Sequence, residues 1–162
     1  IEIIESEFPA RVERFEMIAD SGGAGEWRGG LGFARDYHIL ADDVRFSMRT
    51  DKHTIEPFGS DHGLPGGKGA CIINPTNKDP IRMPSRFGDH RLRTNDIVRV
   101  ERPGGGGLGN AHARPVESVL EDVRQGYVSV ERARSDYGVA VRHADEGLKV
   151  DIAETQVLRG KK

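Results

Sequence analysis

Thirteen consecutive residues, Asp20-Ser21-Gly22-Gly23-Ala24-Gly25-Glu26-Trp27-Arg28-Gly29-Gly30-Leu31-Gly32, constrain the fold more than any other stretch of this chain. Six of the thirteen are glycine, and the only tryptophan sits among them beside an arginine. Glycine is needed where φ must be positive or where another group must come very close. A flexible linker is rich in Gly and Ser and does not carry a Trp-Arg pair. With strand-like apolar runs on both sides, the stretch reads as a specified turn. It is either a tight β-turn closed by a packed Trp27, or a site wall whose backbone N–H groups face a ligand or a neighbouring chain.

Taken in order, Ile1 to Glu5 alternates like a strand already under way. The chain therefore reads as processed, or as the C-terminal part of something longer. Arg11 to Ala19 and Gly32 to Leu40 are half-buried strands around the glycine stretch. Val44 to Arg49 alternates strictly, with Val44, Phe46 and Met48 facing inward. Asp51 to Lys68 is loop, and Gly69 to Asn74 is a short buried strand ended by Asn74-Pro75. Ile81 to Phe87 and Ile97 to Glu101 are further strands. Pro103-Gly104-Gly105-Gly106-Gly107-Leu108-Gly109 closes the β part.

After that the periodicity changes. Val116, Val119, Leu120 and Val123 fall at helical spacing, with Pro115 in the first turn and Gly126 as the stop. Ser129 caps a second helix that Gly138 ends. Val139 to Arg142 is a last strand, and Asp151 with Glu154 opens a terminal helix. Strands first and helices last predict a mainly β body, sandwich or barrel-like, with a small C-terminal helical segment, α+β overall. The expected division is a β-rich body with glycine loops over residues 1–110. Residues 111–162 form a helical segment packed on it, and the whole is one compact unit.

Charge excludes some functions. A net charge of −2 leaves no excess of cations for phosphates, so no nucleic-acid partner is expected. No long apolar run spans a membrane and no secretory pattern opens the chain. One cysteine, Cys71, in an apolar run fits a buried inert thiol and a cytoplasmic protein.

The candidate chemistry is sparse. His38, His53, His62, His90, His112 and His143 are scattered without an i, i+4 pair, so no metal site is expected here. Asp20-Ser21-Gly22 is more simply a turn than a nucleophile site, and no Gly-x-Ser-x-Gly elbow exists. Pro103 to Gly109 lacks the Lys-Ser/Thr of a P-loop and the immediate helix of a dinucleotide fingerprint. Arg49 and Asp51, at the end of the clearest strand, make a polar cluster. It is either a solvated strand end or the mouth of a site where Arg49 binds a carboxylate or an imide-type carbonyl.

Several blocks together resemble the C-terminal region of the hydantoinase B/oxoprolinase family. They are Glu5 to Phe15, Asp20 to Gly25, Arg28 to Gly32, Pro103 to Gly109 and Val119 to Arg124. Ser47 to Lys52, Gly63 to Gly66, Asn74-Pro75 and Pro84-Ser85 also match. The chain differs at Leu108, where an aromatic residue is usual, at Asn110-Ala111 in place of Asp-Pro, at Asn95, where Gly is usual, and at Arg114 in place of Asp.

The resemblance implies part of an ATP-dependent enzyme that hydrolyses cyclic amides (hydantoin, 5-oxoproline) or carboxylates ketones. It implies an A-type subunit that binds ATP and Mg, and a metal ion only in the N-terminal part of the B-type subunit. This segment is expected to bind no cofactor, to need the A-type subunit and the rest of the B-type subunit as partners, and to be inactive alone. Asp20, Ser21, Gly22, Gly23, Arg28, Arg49, Asp51, Gly104, Gly105, Gly106 and Gly107 are the candidates for a substrate channel or an interface. The alternative is a non-catalytic assembly module that packs subunits through its glycine loops.

Overall fold

The computed structural model describes residues 1–144 and 147–160. The chain divides into two compact units. The first comprises Ile1–Met17, Phe33–Glu56 and Lys68–Pro103; the second comprises Ile18–Gly32, Pro57–Gly67 and Gly104–Lys162. The division does not follow the 110/111 boundary, because the glycine segments cluster with the helical part.

The first unit opens with helix α1 (Glu2–Glu7) where alternation predicts a strand. Five residues are too few to separate the two periods: Ile1, Ile4 and Phe8 also fit one helix face. The turns close through Glu5 N to Ile1 O and Phe8 N to Ile4 O. Strands β1 (Ala10–Met17), β2 (Phe33–Ile39), β4 (Ala70–Ile73), β5 (Ile81–Arg82) and β7 (Ile97–Glu101) form an antiparallel sheet. Their order is β1-β2-β7-β4-β5. The run from Ile81 to Phe87, expected as one strand, splits at Pro84, which has no N–H for a ladder.

Strands β3 (Val44–Arg49) and β6 (Arg86–Leu92) pair as a separate ribbon. Val44, Phe46 and Met48 bring the inward face of this ribbon onto a core of Ala10, Ile39, Cys71, Ile73, Leu92 and Val98. The result is a sandwich-like β layer, as the strict alternation of β3 predicts. On the sheet, Asp36 receives two bonds from Arg99, at 2.8 and 2.7 Å.

The second unit holds helices α2 (Val116–Arg124), α3 (Val130–Tyr137) and α4 (Ile152–Gly160). It also holds a hairpin of β8 (Val141–Ala144) and β9 (Gly147–Val150). The predicted caps are in place. Ser129 Oγ accepts from Arg132 N, and Gly138 ends α3 in the left-handed region. Asp151 Oδ1 accepts from Glu154 N at 3.0 Å. The core gathers Val119, Val123, Val128, Ala133, Tyr137, Val139 and Val141. Among the described residues no helix is long and apolar enough to cross a membrane.

Candidate functional site

The sequence candidates of the second unit meet in a bundle of glycine-rich backbone. Three segments, around residues 20–30, 57–67 and 104–109, exchange hydrogen bonds in every pairing. Gly23 N donates to Gly105 O and Gly105 N to Gly30 O, both at 2.8 Å. Gly107 N donates to Leu64 O at 2.9 Å, and Leu64 N to Ala24 O at 2.7 Å. Gly67 N donates to Ser21 O at 2.7 Å, and Gly104 N to Gly67 O at 3.1 Å. In a flat three-stranded sheet the two outer strands never bond to each other. Here all three pairs do, so the segments are bundled.

The glycines serve close approach. Of those in the three segments, only Gly109 has positive φ. A Cβ on Gly104 would collide with the Ser21 carbonyl, one on Gly23 with Leu64 O, and one on Gly107 with Ala24 O. Gly22 and Gly29 mirror this, since a Cβ on Gly22 would strike Gly29 O and one on Gly29 would strike Gly105 O. Gly106 lies under the Phe58 carbonyl. Backbone atoms cannot move aside as a flexible side-chain tip can, so each position excludes side chains.

One of the two readings of this stretch changes. Trp27 does not close a packed turn: it is 66% exposed. Ser21 is buried and its hydroxyl is committed at both ends, donating to Ile18 O at 2.6 Å and accepting from Gly32 N at 2.8 Å. Asp20 adopts φ 61° and anchors the next layer. Its N donates to Tyr127 O at 3.0 Å, and its Oδ1 accepts from Ser129 N at 2.8 Å.

Arg28 leads into a charge cluster that sequence reasoning missed. Its Nε donates to Oδ2 of Asp122 at 3.2 Å, its Nη1 donates to Gly29 O at 2.8 Å, and its guanidinium lies over the Tyr127 ring. Arg114 reaches the same Asp122 oxygen at 2.9 Å and also donates to Glu26 O. Asp122 is 6% exposed. Arg114 Nε and the Tyr137 hydroxyl are buried without a hydrogen-bond partner among the described residues. Burial pushes the Tyr137 hydroxyl up to about 12. The available signal was Asp122 itself, an acid on the same helical stripe as Val119 and Val123.

Arg49 and Asp51 belong to the first unit. Asp51 is exposed and accepts from Arg86 Nη2 at 2.7 Å, which holds its carboxyl below the usual range. Arg86 is also the register partner of Arg49 across β3 and β6, so Asp51 pairs with Arg86 and not with Arg49. In the same unit burial pushes the Cys71 thiol up to about 11, and it lowers His53 with help from Arg82 and Arg102. Among the described residues no three His, Cys, Asp or Glu side chains gather as a metal site.

The described residues therefore offer a rigid backbone bundle, a buried Arg-Asp-Arg pin and an exposed polar strand end. Comparison with known proteins agrees with the blocks read from the sequence. The family described as hydantoinase B/oxoprolinase matches residues 1–111. An uncharacterized protein of Methanocaldococcus jannaschii is 38% identical over 99% of this chain and 28% of its own length. The putative D-/L-hydantoinase B-type subunit of Pseudomonas sp. (strain NS671) is 36% identical over 98% of this chain and 26% of its own. The crystal structure of the ATP-dependent caprolactamase from Pseudomonas jessenii superposes with a TM-score of 0.77 at 29% identity, covering 99% of this chain and 28% of that one. The chain thus spans about a quarter of the length of the relatives it matches. With two thirds of its residues inside the family pattern and the rest continuing into full-length alignments, the chain belongs to the hydantoinase B/oxoprolinase family.

Proposed function

We propose that this chain works as the C-terminal part of a hydantoinase B-type subunit, in an ATP-dependent enzyme that hydrolyses cyclic amides. The observation that carries the reading is the alignment of nearly the whole chain with a hydantoinase B-type subunit, of which it makes up 26%. The likeness to the ATP-dependent caprolactamase supports the same chemistry, since a caprolactam is a cyclic amide. ATP and Mg belong on an A-type partner, and this segment binds neither. Its surroundings are cytoplasmic, with no nucleic acid or membrane partner.

Arg28 acts through position in this reading. Its contacts to Asp122 and Gly29 hold the glycine bundle. Arg49 and Asp51 remain the candidates to meet substrate or a neighbouring chain, since both side chains stand on the exposed side of a strand end. The second reading is a non-catalytic assembly module; the Ser21 hydroxyl, committed at both ends, is consistent with it, while the mutual bonding of the glycines keeps those backbone groups within this chain.

Purification with the A-type and remaining B-type partners tests the first reading. The chain should co-elute and restore ATP hydrolysis that depends on hydantoin, 5-oxoproline or caprolactam. Full activity of the partners without it would remove it from the catalytic body. Arg49→Ala separates the two readings: lower turnover in an intact complex favours the first, and unchanged turnover favours the second.

A further inference from the structure

Trp27 and Leu108 stand side by side on the second unit. They exchange both backbone hydrogen bonds, Trp27 N to Leu108 O and Leu108 N to Trp27 O, each 2.9 Å. That geometry sets two side chains on the same face of an antiparallel pair. Ser60 bridges Leu108 in parallel register from the 57–67 segment. Two residues earlier, the Phe58 carbonyl lies against Gly106. Leu108 is 47% exposed and Phe58 81%. The three glycine segments thus carry Trp27, Phe58 and Leu108 into solvent at neighbouring backbone positions, and the 57–67 segment adds a second exposed side chain, Leu64.

A single exposed leucine needs no explanation, but a tryptophan, a phenylalanine and a leucine on adjoining backbone do. Aromatic anchors on a rigid base are what interface centres are made of. Resting on the reading of this chain as part of a B-type subunit, we propose that Trp27, Phe58 and Leu108 are the surface on which the remainder of the B-type polypeptide docks. Nearly all of this chain aligns with relatives of which it forms about a quarter, so most of such a polypeptide lies outside it. A patch of this size also fits a contact within one polypeptide. Independent partners must offset lost translational and rotational freedom, and their interfaces engage roughly 20–30 residues a side. Covalent continuity replaces that cost with a high effective concentration.

The test places this chain in the full-length hydantoinase B-type polypeptide of Pseudomonas sp. (strain NS671), in exchange for the matching quarter. Hydroxyl-radical footprinting then reads each side chain by mass spectrometry, in that polypeptide and in the 162-residue chain alone. Trp27, Phe58 and Leu108 should be oxidised several-fold more slowly in the full polypeptide, while Ile152 and Val157, exposed in the same unit, keep their rates. Phe58→Ser with Leu108→Ser should leave the melting temperature of the 162-residue chain unchanged and lower that of the full polypeptide by several degrees.

Equal oxidation of Trp27 in both contexts overturns the proposal. So does protection that appears only with the A-type subunit, or that grows with the concentration of the isolated chain as a second copy would require. Turnover of the exchanged polypeptide with its A-type subunit is measured separately. Turnover with an unprotected Trp27 sinks the docking surface alone, and a protected Trp27 without turnover sinks the functional reading alone.

Discussion

Arg28 and Arg114 converge on one oxygen, Oδ2 of Asp122, at 3.2 and 2.9 Å. One comes from the glycine stretch, the other from the turn before α2, and the acid from α2 itself. Removing one partner of a buried pair costs more than the pair contributes, because the other charge stays desolvated. Asp122→Ala leaves two cations unpaired and should destabilise the fold by about 3 kcal/mol. Urea unfolding measures this. A cycle with Arg28→Met should show strong non-additivity, since both changes act on one contact.

Gly104 and Gly30 should respond in opposite ways to one added methyl group. On Gly104 it meets the Ser21 carbonyl; on Gly30 it meets nothing within 4 Å. Gly104→Ala should destabilise by about 3 kcal/mol or more, at the upper end of overpacking, because backbone must move. Gly30→Ala should stay within about 0.5 kcal/mol of the parent. Thermal melts of the two variants side by side decide it.

Ser21 is a structural hydroxyl. Ser21→Ala strands the Gly32 N–H and leaves the Ile18 carbonyl only the longer bond from Ser21 N at 3.4 Å, which should cost about 1–3 kcal/mol. Turnover per folded molecule in the assembled enzyme should be unchanged. A loss far beyond the folded fraction would make the hydroxyl a reacting group.

Alkaline pH should weaken the fold through Cys71 and Tyr137. The unfolded groups lose their protons near 9.0 and 10.0; in the folded chain burial delays this to about 11 and about 12. Above pH 9 the unfolded chain therefore binds fewer protons than the folded one, and stability falls as pH rises. The contribution is complete below pH 9 and is lost up to about pH 12, on the order of 2–3 kcal/mol for each group. Unfolding free energy measured from about pH 8 to about pH 11 should decline, and Tyr137→Phe should flatten the later part of the decline.

The sequence made regular elements legible where one face was buried and the window was long. Strand β3 shows this, as does the region of α2 and α3, whose Ser129 and Gly138 punctuate the backbone by their own chemistry. Helix α1 is not legible, because Ile1 to Glu5 satisfies two periods and buries nothing that would select one. Strand β9 escapes a sequence reading because its four residues, Gly147–Val150, carry little pattern. The glycine stretch is legible as special but not in kind. Whether Gly23 faces a ligand or Leu64 O depends on a segment some forty residues away, and no local rule contains that distance. Trp27 packed into a closed turn is one of the two sequence readings, and its 66% exposure removes it.

The glycine bundle also bears on inheritance. Its three segments are separated by whole strands, yet Gly23, Gly104 and Gly107 are each fitted to a carbonyl on another segment. A recombination joint between residues 30 and 57, or between 67 and 104, would bring together segments from different parents, whose backbone spacings had never been matched. A joint after Asn110 leaves the set whole. The bundle therefore behaves as one indivisible character, dispersed along the chain and passed on together.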